Sequence, residues 1–491
     1  SAAKCRKPVR VMYEMNLSIS ADRTDALPQA NLSAWLQTIL IVLTLLFLPL
    51  ANGGVSAGAR ALATVLLVLA VLINMLPVGR AGRAGWDAWQ RAWLWPWLGV
   101  SAMIAVQMLP LPTNWLHYLG AYPADLLREP GLPFLHRLSP NLPATLGYWA
   151  MFTGYWAAAY LVACLPRRLL RWVVLALVSI VAFESLYGLI AHLGRHSSVL
   201  GLWPARDNHS LVLGTYFNRN HLAGLLELGW PLGIAFLLYG VSASGQLRAR
   251  EVRYFWLVCF CVVVALALFN TQSRLGSFGG LFGLLVFVLI ARYEQQRGQM
   301  GLIERFWLWT AGVLALLGAI WFGLGPLLSR YADILDDASR LEVWSNVFDL
   351  PAKTWLLGAG AGAFEDVFKL VQTAELRASY VYLHNDWLQF VLEFGVLGTL
   401  FIGLLLLLWW RRIKPSRYGG LRAGACGGIA AIALHSIGDF NLQIPGTAFA
   451  FWVCLGVLCN RHLESRGRRR AAAASATSAV ASEGGSAAEP G

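Results

Sequence analysis

The chain has 491 residues, 57% of them hydrophobic and 13% charged, whereas soluble domains carry about 45–50% apolar and about 25% charged residues. That balance excludes water as its main solvent. The formal net charge of +13 would suit a nucleic-acid partner, but its placement excludes that class: the clusters Arg167-Arg168-Arg171, Arg248-Arg250-Arg253, Arg411-Arg412-Lys414-Arg417 and Arg466-Arg468-Arg469-Arg470 all fall on one side of a membrane, where basic residues set topology.

In chain order, residues 1–33 form a polar, basic tail that lacks the short apolar core and small-residue cleavage site of a signal peptide, so the first span is expected to remain as a permanent anchor. Crossing a hydrocarbon core of ~30 Å takes about 20 helical residues. Apolar runs of that order fall at 34–52, 59–78, 92–110, 146–165, 169–193, 220–240, 254–270, 275–291 and 306–326, and, beyond a long loop at 327–385, at 386–410, 421–438 and 445–460. Lipid offers no hydrogen bond to an exposed peptide group, so a spanning chain is helical or a closed barrel, and continuous apolar runs exclude the alternation of a barrel. The expected fold class is therefore all-α: a polytopic integral membrane protein of about 12 transmembrane helices, nine within 34–326 and three within 386–462. With the basic clusters inside, both termini are cytoplasmic, and the loops 111–145 and 327–385 face the periplasm of a bacterial inner membrane. Residues 463–491, rich in Ala, Ser, Gly and Glu without apolar periodicity, read as a disordered tail.

The first long loop carries Trp115, Tyr118 and Tyr122, side chains suited to the headgroup layer, and is expected to be an interfacial cover. In the second, Leu341, Trp344, Val347 and Phe348 repeat at helical spacing after Ser339, a candidate N-cap, and the helix should stop near Pro351. Gly358, Gly360 and Gly362 in LLGAGAGAF lack the preceding strand and the Lys-Ser/Thr of a phosphate-binding loop, so they read as a tight turn. The 7 cysteines, Cys5, Cys164, Cys259, Cys261, Cys426, Cys454 and Cys459, lie in the N-terminal tail or in spans, so no periplasmic disulfide framework is expected.

The reactive residues gather at the outward face. Glu184, Glu227 and Glu393 fall in the outward halves of their spans, where ionisable groups are costly enough to be functional candidates; they are expected to line one water-filled vestibule. Three segments share that depth: Tyr216-Phe217-Asn218-Arg219-Asn220-His221, Thr271-Gln272-Ser273-Arg274 and Tyr382-Leu383-His384-Asn385-Asp386. Each has a bland alternative. A lone Arg at a helix mouth commonly snorkels to lipid phosphate, and Asn and Asp are ordinary at a helix start. Two guanidinium groups and an imidazole on one membrane face, however, suit an anionic lipid headgroup that must react.

At these segments the chain resembles the O-antigen ligase and Wzy-type polysaccharide polymerase superfamily. The likeness runs through FNRNHLAGLLELGWPLG at 217–233, TQSRLGSFGGLFGLL at 271–285, SRLEVWSNVFDLPAKTWLLGAGAGAF at 339–364, HNDWLQFVLEFGVLG at 384–398 and HSIGDFNLQIPG at 435–446. The resemblance implies a GT-C-like fold and transfer of a glycan from an undecaprenyl-diphosphate carrier to an acceptor hydroxyl, on lipid A-core or a growing glycan, at the periplasmic face. It further implies His384 as the base and Arg219 and Arg274 as the cations that stabilise the leaving diphosphate, with inversion at the sugar carbon and without a metal ion or other cofactor. Arg340, Asn220, His221, Asn385, Asp386, Glu393, His435 and Asp439 are expected to line the substrate site, with Asp386, Asp439 or Glu393 as the carboxylate that orients His384. Ligase, polymerase and protein O-oligosaccharyltransferase share this donor machinery. A transporter of lipid-linked sugars is the alternative from another class, although its pathway would need polar groups through the full membrane thickness.

Overall fold

The computed structural model describes residues 32–75, 87–112, 135–195, 198–204, 211–240, 247–295, 335–374, 376 and 379–464. These form the helices α1 (Leu32–Leu50), α2 (Ala57–Met75), α3 (Ala88–Ala92), α4 (Leu94–Met108), α5 (Leu142–Cys164), α6 (Arg167–Gly194), α7 (Arg219–Ala235), α8 (Leu247–Asn270), α9 (Arg274–Gln295), α10 (Leu335–Val347), α11 (Ala352–Leu357), α12 (Phe364–Phe368), α13 (Asp386–Ile413), α14 (Leu421–His435) and α15 (Pro445–Cys459). Two-residue strands make two short antiparallel ribbons, pairing Leu111–Pro112 with Leu135–His136 and Ser198–Val199 with Trp203–Pro204. The protein is thus an all-α, multi-pass membrane protein. Among the described residues, 7 helices are long and apolar enough to cross a membrane, and α14 and α15 are shorter apolar helices. The expected run at 306–326, the aromatic cover around Trp115, Tyr118 and Tyr122, and the disordered tail after residue 464 lie outside the described residues.

The centre of the bundle is built on small residues. α14, LRAGACGGIAAIALH, presents glycines to its neighbours: a Cβ on Gly424 would stand 2.8 Å from the Pro231 carbonyl oxygen, and one on Gly283 of α9 would stand 2.6 Å from the Gly427 carbonyl oxygen. In lipid, where the hydrophobic effect does not drive helix association, such close backbone approach supplies the packing energy. It packs α7, α9 and α14 against one another.

The second special element is α13. At 28 residues it is about 42 Å long, too long for the hydrocarbon core alone. It breaks at Gly395, whose φ of 71° and ψ of 164° are non-helical. The break frees carbonyls that a buried helix cannot leave unpaired. The glycine turn meets them: the Ala359 amide donates to the Leu392 oxygen (2.8 Å), the Gly360 amide to the Glu393 oxygen (3.1 Å), and Gln107 Nε2 also donates to the Glu393 oxygen (2.8 Å). Gly358, Gly360 and Gly362 all have positive φ, and a Cβ on Gly358 would lie 2.6 Å from the Glu393 oxygen. LLGAGAGAF is therefore a turn docked by its backbone into the helix fracture. The loop around it has a core of its own, in which Val343, Val347, Phe364, Val367 and Phe368 pack on Leu383 and Leu392.

Two expectations are corrected here. α10 starts at Leu335, so Ser339 lies inside the helix and not at its N-terminal cap position. Glu184, Glu227 and Glu393 do not share a vestibule. Each is at most 1% exposed and has its own partner: the Thr215 amide donates to Glu184 Oε2 (2.8 Å), His435 Nδ1 lies 2.9 Å from Glu227 Oε1, and Gln389 Nε2 donates to Glu393 Oε1 (2.8 Å).

Gly358→Ala should lower stability by about 1–3 kcal/mol, because φ 98° and ψ 149° lie in a region open essentially to glycine alone and the added methyl meets backbone. The check is the thermal unfolding midpoint in detergent.

Candidate functional site

The site starts where α7 begins. Asn218 is extended and its side chain accepts from the Asn220 amide (2.9 Å), capping the helix that Arg219 opens. The next two side chains, Asn220 and His221, are buried and turn toward the segment between α14 and α15. There Asn220 Nδ2 donates to Asp439 Oδ2, and His221 Nε2 lies 3.9 Å from Asp439 Oδ1. Arg340 of α10 reaches the same acid from the loop: one guanidinium nitrogen is 3.9 Å from Asp439 Oδ2, while the other donates to the Gly438 oxygen (2.9 Å). Burial alone would raise the Asp439 pKa, but His221, His435, Arg340 and His384 around it hold it below the usual carboxylate range. Asp439 is thus a buried anion that gathers an amide, a guanidinium group and imidazoles from four elements.

Above it opens a cleft of about 260 Å³ lined by Leu211, Leu213, Phe217, Asn218, Arg219, Asn220 and Arg340. Two guanidinium groups over an apolar floor make this a place for an anionic headgroup attached to a hydrocarbon chain. Arg274 stands at the neighbouring turn. The Val212 amide donates to the Asn270 oxygen (3.0 Å), which ties the cleft wall to the end of α8. The turn continues through Ser273, whose Oγ accepts from the Gly276 amide (3.2 Å), and Gly276 faces Ala223 and His435. The cation that shares the cleft with Arg219 is therefore Arg340, with Arg274 beside them at the same end of the bundle.

His384 sits immediately before α13 with φ of 57°, a left-handed conformation uncommon outside glycine. Neighbouring bonds hold it there: Gln389 Oε1 accepts from the Leu383 amide (3.0 Å), Trp344 Nε1 donates to the Leu383 oxygen (2.9 Å), and Asn385 accepts from the Leu388 amide (2.9 Å) as the cap of α13. The imidazole packs edge-on against Phe440, with centroids 4.6 Å apart. Its Nδ1 is buried and has no hydrogen-bond partner among the described residues. Burial pushes the His384 pKa below its ordinary value; Asp439 pulls it up and Arg340 pushes it down.

The expected residues thus separate by position. Asn220, His221, Arg340, Asp439 and His384 form one cluster, with Arg219 in the adjoining cleft. Asn385 and Asp386 have structural partners: the Asp386 amide donates to the Ser436 and Asp439 oxygens (3.0 and 3.2 Å), and its Oδ2 accepts from Ser436 Oγ (2.9 Å) and the Leu442 amide (3.0 Å). His435 lies below the cluster on Glu227, and Glu393 touches the site only through Gln389. None of the three acids expected to orient His384 bonds to it among the described residues. Sequence reasoning missed Phe440, Tyr382 and Gln389. Of these, only the aromatic next to Asp439 in HSIGDF offered a signal.

Replacing the neighbours of His384 should move its titration in opposite directions. Asp439→Asn removes an anion and lowers its pKa further, whereas Arg340→Gln removes a cation and raises it; histidine-selective NMR titration of the two variants against wild type checks both signs.

No solved structure matches this chain. Over 114 residues it is 32% identical to the osmoprotective compounds uptake permease protein GgtD of Synechocystis sp., a match that covers 22% of this chain and 38% of the permease. The chain therefore spans well under half the length of that relative. Residues 259–403, which include Arg274, Arg340 and His384, match the family model described as O-antigen ligase.

Proposed function

We propose that the protein is an O-antigen ligase-type glycosyltransferase that moves a glycan from undecaprenyl diphosphate to an acceptor hydroxyl, on lipid A-core, at the periplasmic face of the inner membrane. The observation that carries this reading is the cleft shared by Arg219 and Arg340, with Asn220 on its wall bonded to Asp439, the acid whose charge acts on His384. In the reaction, the acceptor oxygen attacks the sugar carbon while the bond to the diphosphate oxygen breaks. The electron pair leaves with the diphosphate, and the hydroxyl proton passes to His384 Nε2. Negative charge grows on the diphosphate as that bond breaks, so fixed guanidinium groups there stabilise the transition state more than the ground state. Arginine keeps its charge in a dry cleft and binds phosphate oxygens in pairs, which gives the leaving group its counter-charge from the chain itself, with no metal ion required. An imidazole held neutral by burial is ready to accept a proton near neutral pH. Attack opposite the diphosphate inverts the anomeric centre.

A Wzy-type polymerase and a protein O-oligosaccharyltransferase would use the same donor half and differ only in the acceptor. The partial likeness to a permease favours transport as a second reading. Against it, the polar cluster described above gathers at one end of the bundle. Transfer measured in detergent, with no membrane to cross, separates transport from catalysis.

With purified protein, lipid-diphosphate-linked glycan and lipid A-core acceptor, His384→Ala should lower kcat by roughly 10²–10⁴-fold. Arg219→Ala and Arg274→Ala should each lower it by about 10²–10³-fold. Full activity in all three would remove the mechanism, and transfer of single repeats only to one another would reassign the acceptor.

A further inference from the structure

We propose that Phe440 is the positioning residue for His384, so that an aromatic ring, in place of a carboxylate, sets the direction of the base. The inference rests on the glycosyl-transfer reading of the site, but the contact itself stands on geometry.

A histidine base is commonly oriented by a hydrogen bond to its second nitrogen. Here that nitrogen, Nδ1, is buried and has no hydrogen-bond partner among the described residues. The three nearby acids are engaged elsewhere: Asp386 with Ser436 and Leu442, Asp439 with Asn220 and the Phe440 amide, and Glu393 with Gln389. What touches the imidazole is the Phe440 ring, at 4.6 Å and an interplanar angle of 83°. The same ring receives His221 edge-on at 4.7 Å and 71°, and Tyr382 stacked at 4.8 Å and 28°. Edge-to-face and offset-stacked arrangements are the ones the aromatic quadrupole favours. Phe440 is itself fixed, because its amide donates to Asp439 Oδ1 (2.8 Å) and Asp439 is locked by Asn220 and Arg340.

The consequence concerns the turn 382–384. Tyr382 and His384 lie two residues apart and both rest on Phe440, so the ring holds the positive-φ backbone of His384 between two side-chain contacts. Without the ring, the imidazole loses the contact that fixes its χ angles, and Nε2 no longer keeps one direction. Misplacement of a reacting group by about 1 Å is enough to cost on the order of 100-fold in rate.

The test compares Phe440→Leu and Phe440→Tyr with wild type, by transfer kinetics and by NMR titration of His384. The charged or titratable groups around that imidazole are Asp439 and His221 from the bundle and Arg340 from the loop, and all three are kept in both variants. Phe440→Leu is expected to lower kcat by about 10–100-fold with the KM for the lipid-linked donor within about two-fold, since Arg219 and Arg340 remain. Its His384 titration should move up toward the ordinary histidine value as water reaches the ring. Phe440→Tyr keeps the ring and should restore both readouts. A His384 titration unmoved in Phe440→Leu, or a kcat per folded molecule equal to wild type, overturns the proposal. A titration that responds to Phe440→Leu in a protein that transfers nothing supports the contact and overturns the transfer reading instead.

Discussion

The site depends on how Asp386 closes the start of α13 onto the segment between α14 and α15. Its amide donates to two carbonyls of that segment, and its carboxylate accepts from Ser436 Oγ and the Leu442 amide. A carboxylate at the first residue of a helix already sits in the favourable field of the dipole. Spending its lone pairs on a second element as well turns a common helix-start residue into a clasp. The base of the proposed mechanism and its surroundings are arranged by that clasp: His384 lies two residues before it, and Asp439 and Phe440 lie inside the loop it closes.

Charge then organises what the clasp has brought near. A buried carboxylate is costly unless it is paired, and Asp439 meets that cost with an amide, a guanidinium group and imidazoles drawn from α7, α10, α14 and the turn before α13. The arrangement leaves Arg219 and Arg340 facing a cleft with an apolar floor. The cleft thus sets guanidinium groups that suit an anion beside the apolar side chains of Leu211, Leu213 and Phe217. Placing this at one end of a bundle limits the number of ionisable groups at membrane depth. Among those that remain there, Glu184, Glu227 and His435 each have a near neighbour of matching chemistry.

The membrane class and the positions of the helices were legible in the sequence because run length and apolar continuity are direct consequences of a lipid solvent. The beginning of α10 was not, since Ser339 carries a cap's chemistry and yet lies inside a helix that begins at Leu335. Asn220, His221, Arg340 and Asp439, all named from the sequence, do lie together beside the cleft that Arg219 lines. Two things were hidden. Glu184 lost its expected place by a vestibule because its partner, Thr215, is a neutral residue that no motif marks. Phe440 was hidden because one more aromatic among 12% of the chain looks like packing until its neighbours are known.

The fracture in α13 has a bearing on how this end of the molecule can move. The amide hydrogens of Ala359 and Gly360 are consumed by carbonyls of the broken helix, so the glycine turn has none of those donors left to wrap an anion. The same bonds splint the upper segment of the helix to the loop, and Gln389 bridges from that segment to the backbone just before His384. The glycine turn, the upper helix and the backbone before the imidazole are therefore joined into one unit, so that a displacement of any of them carries the others with it.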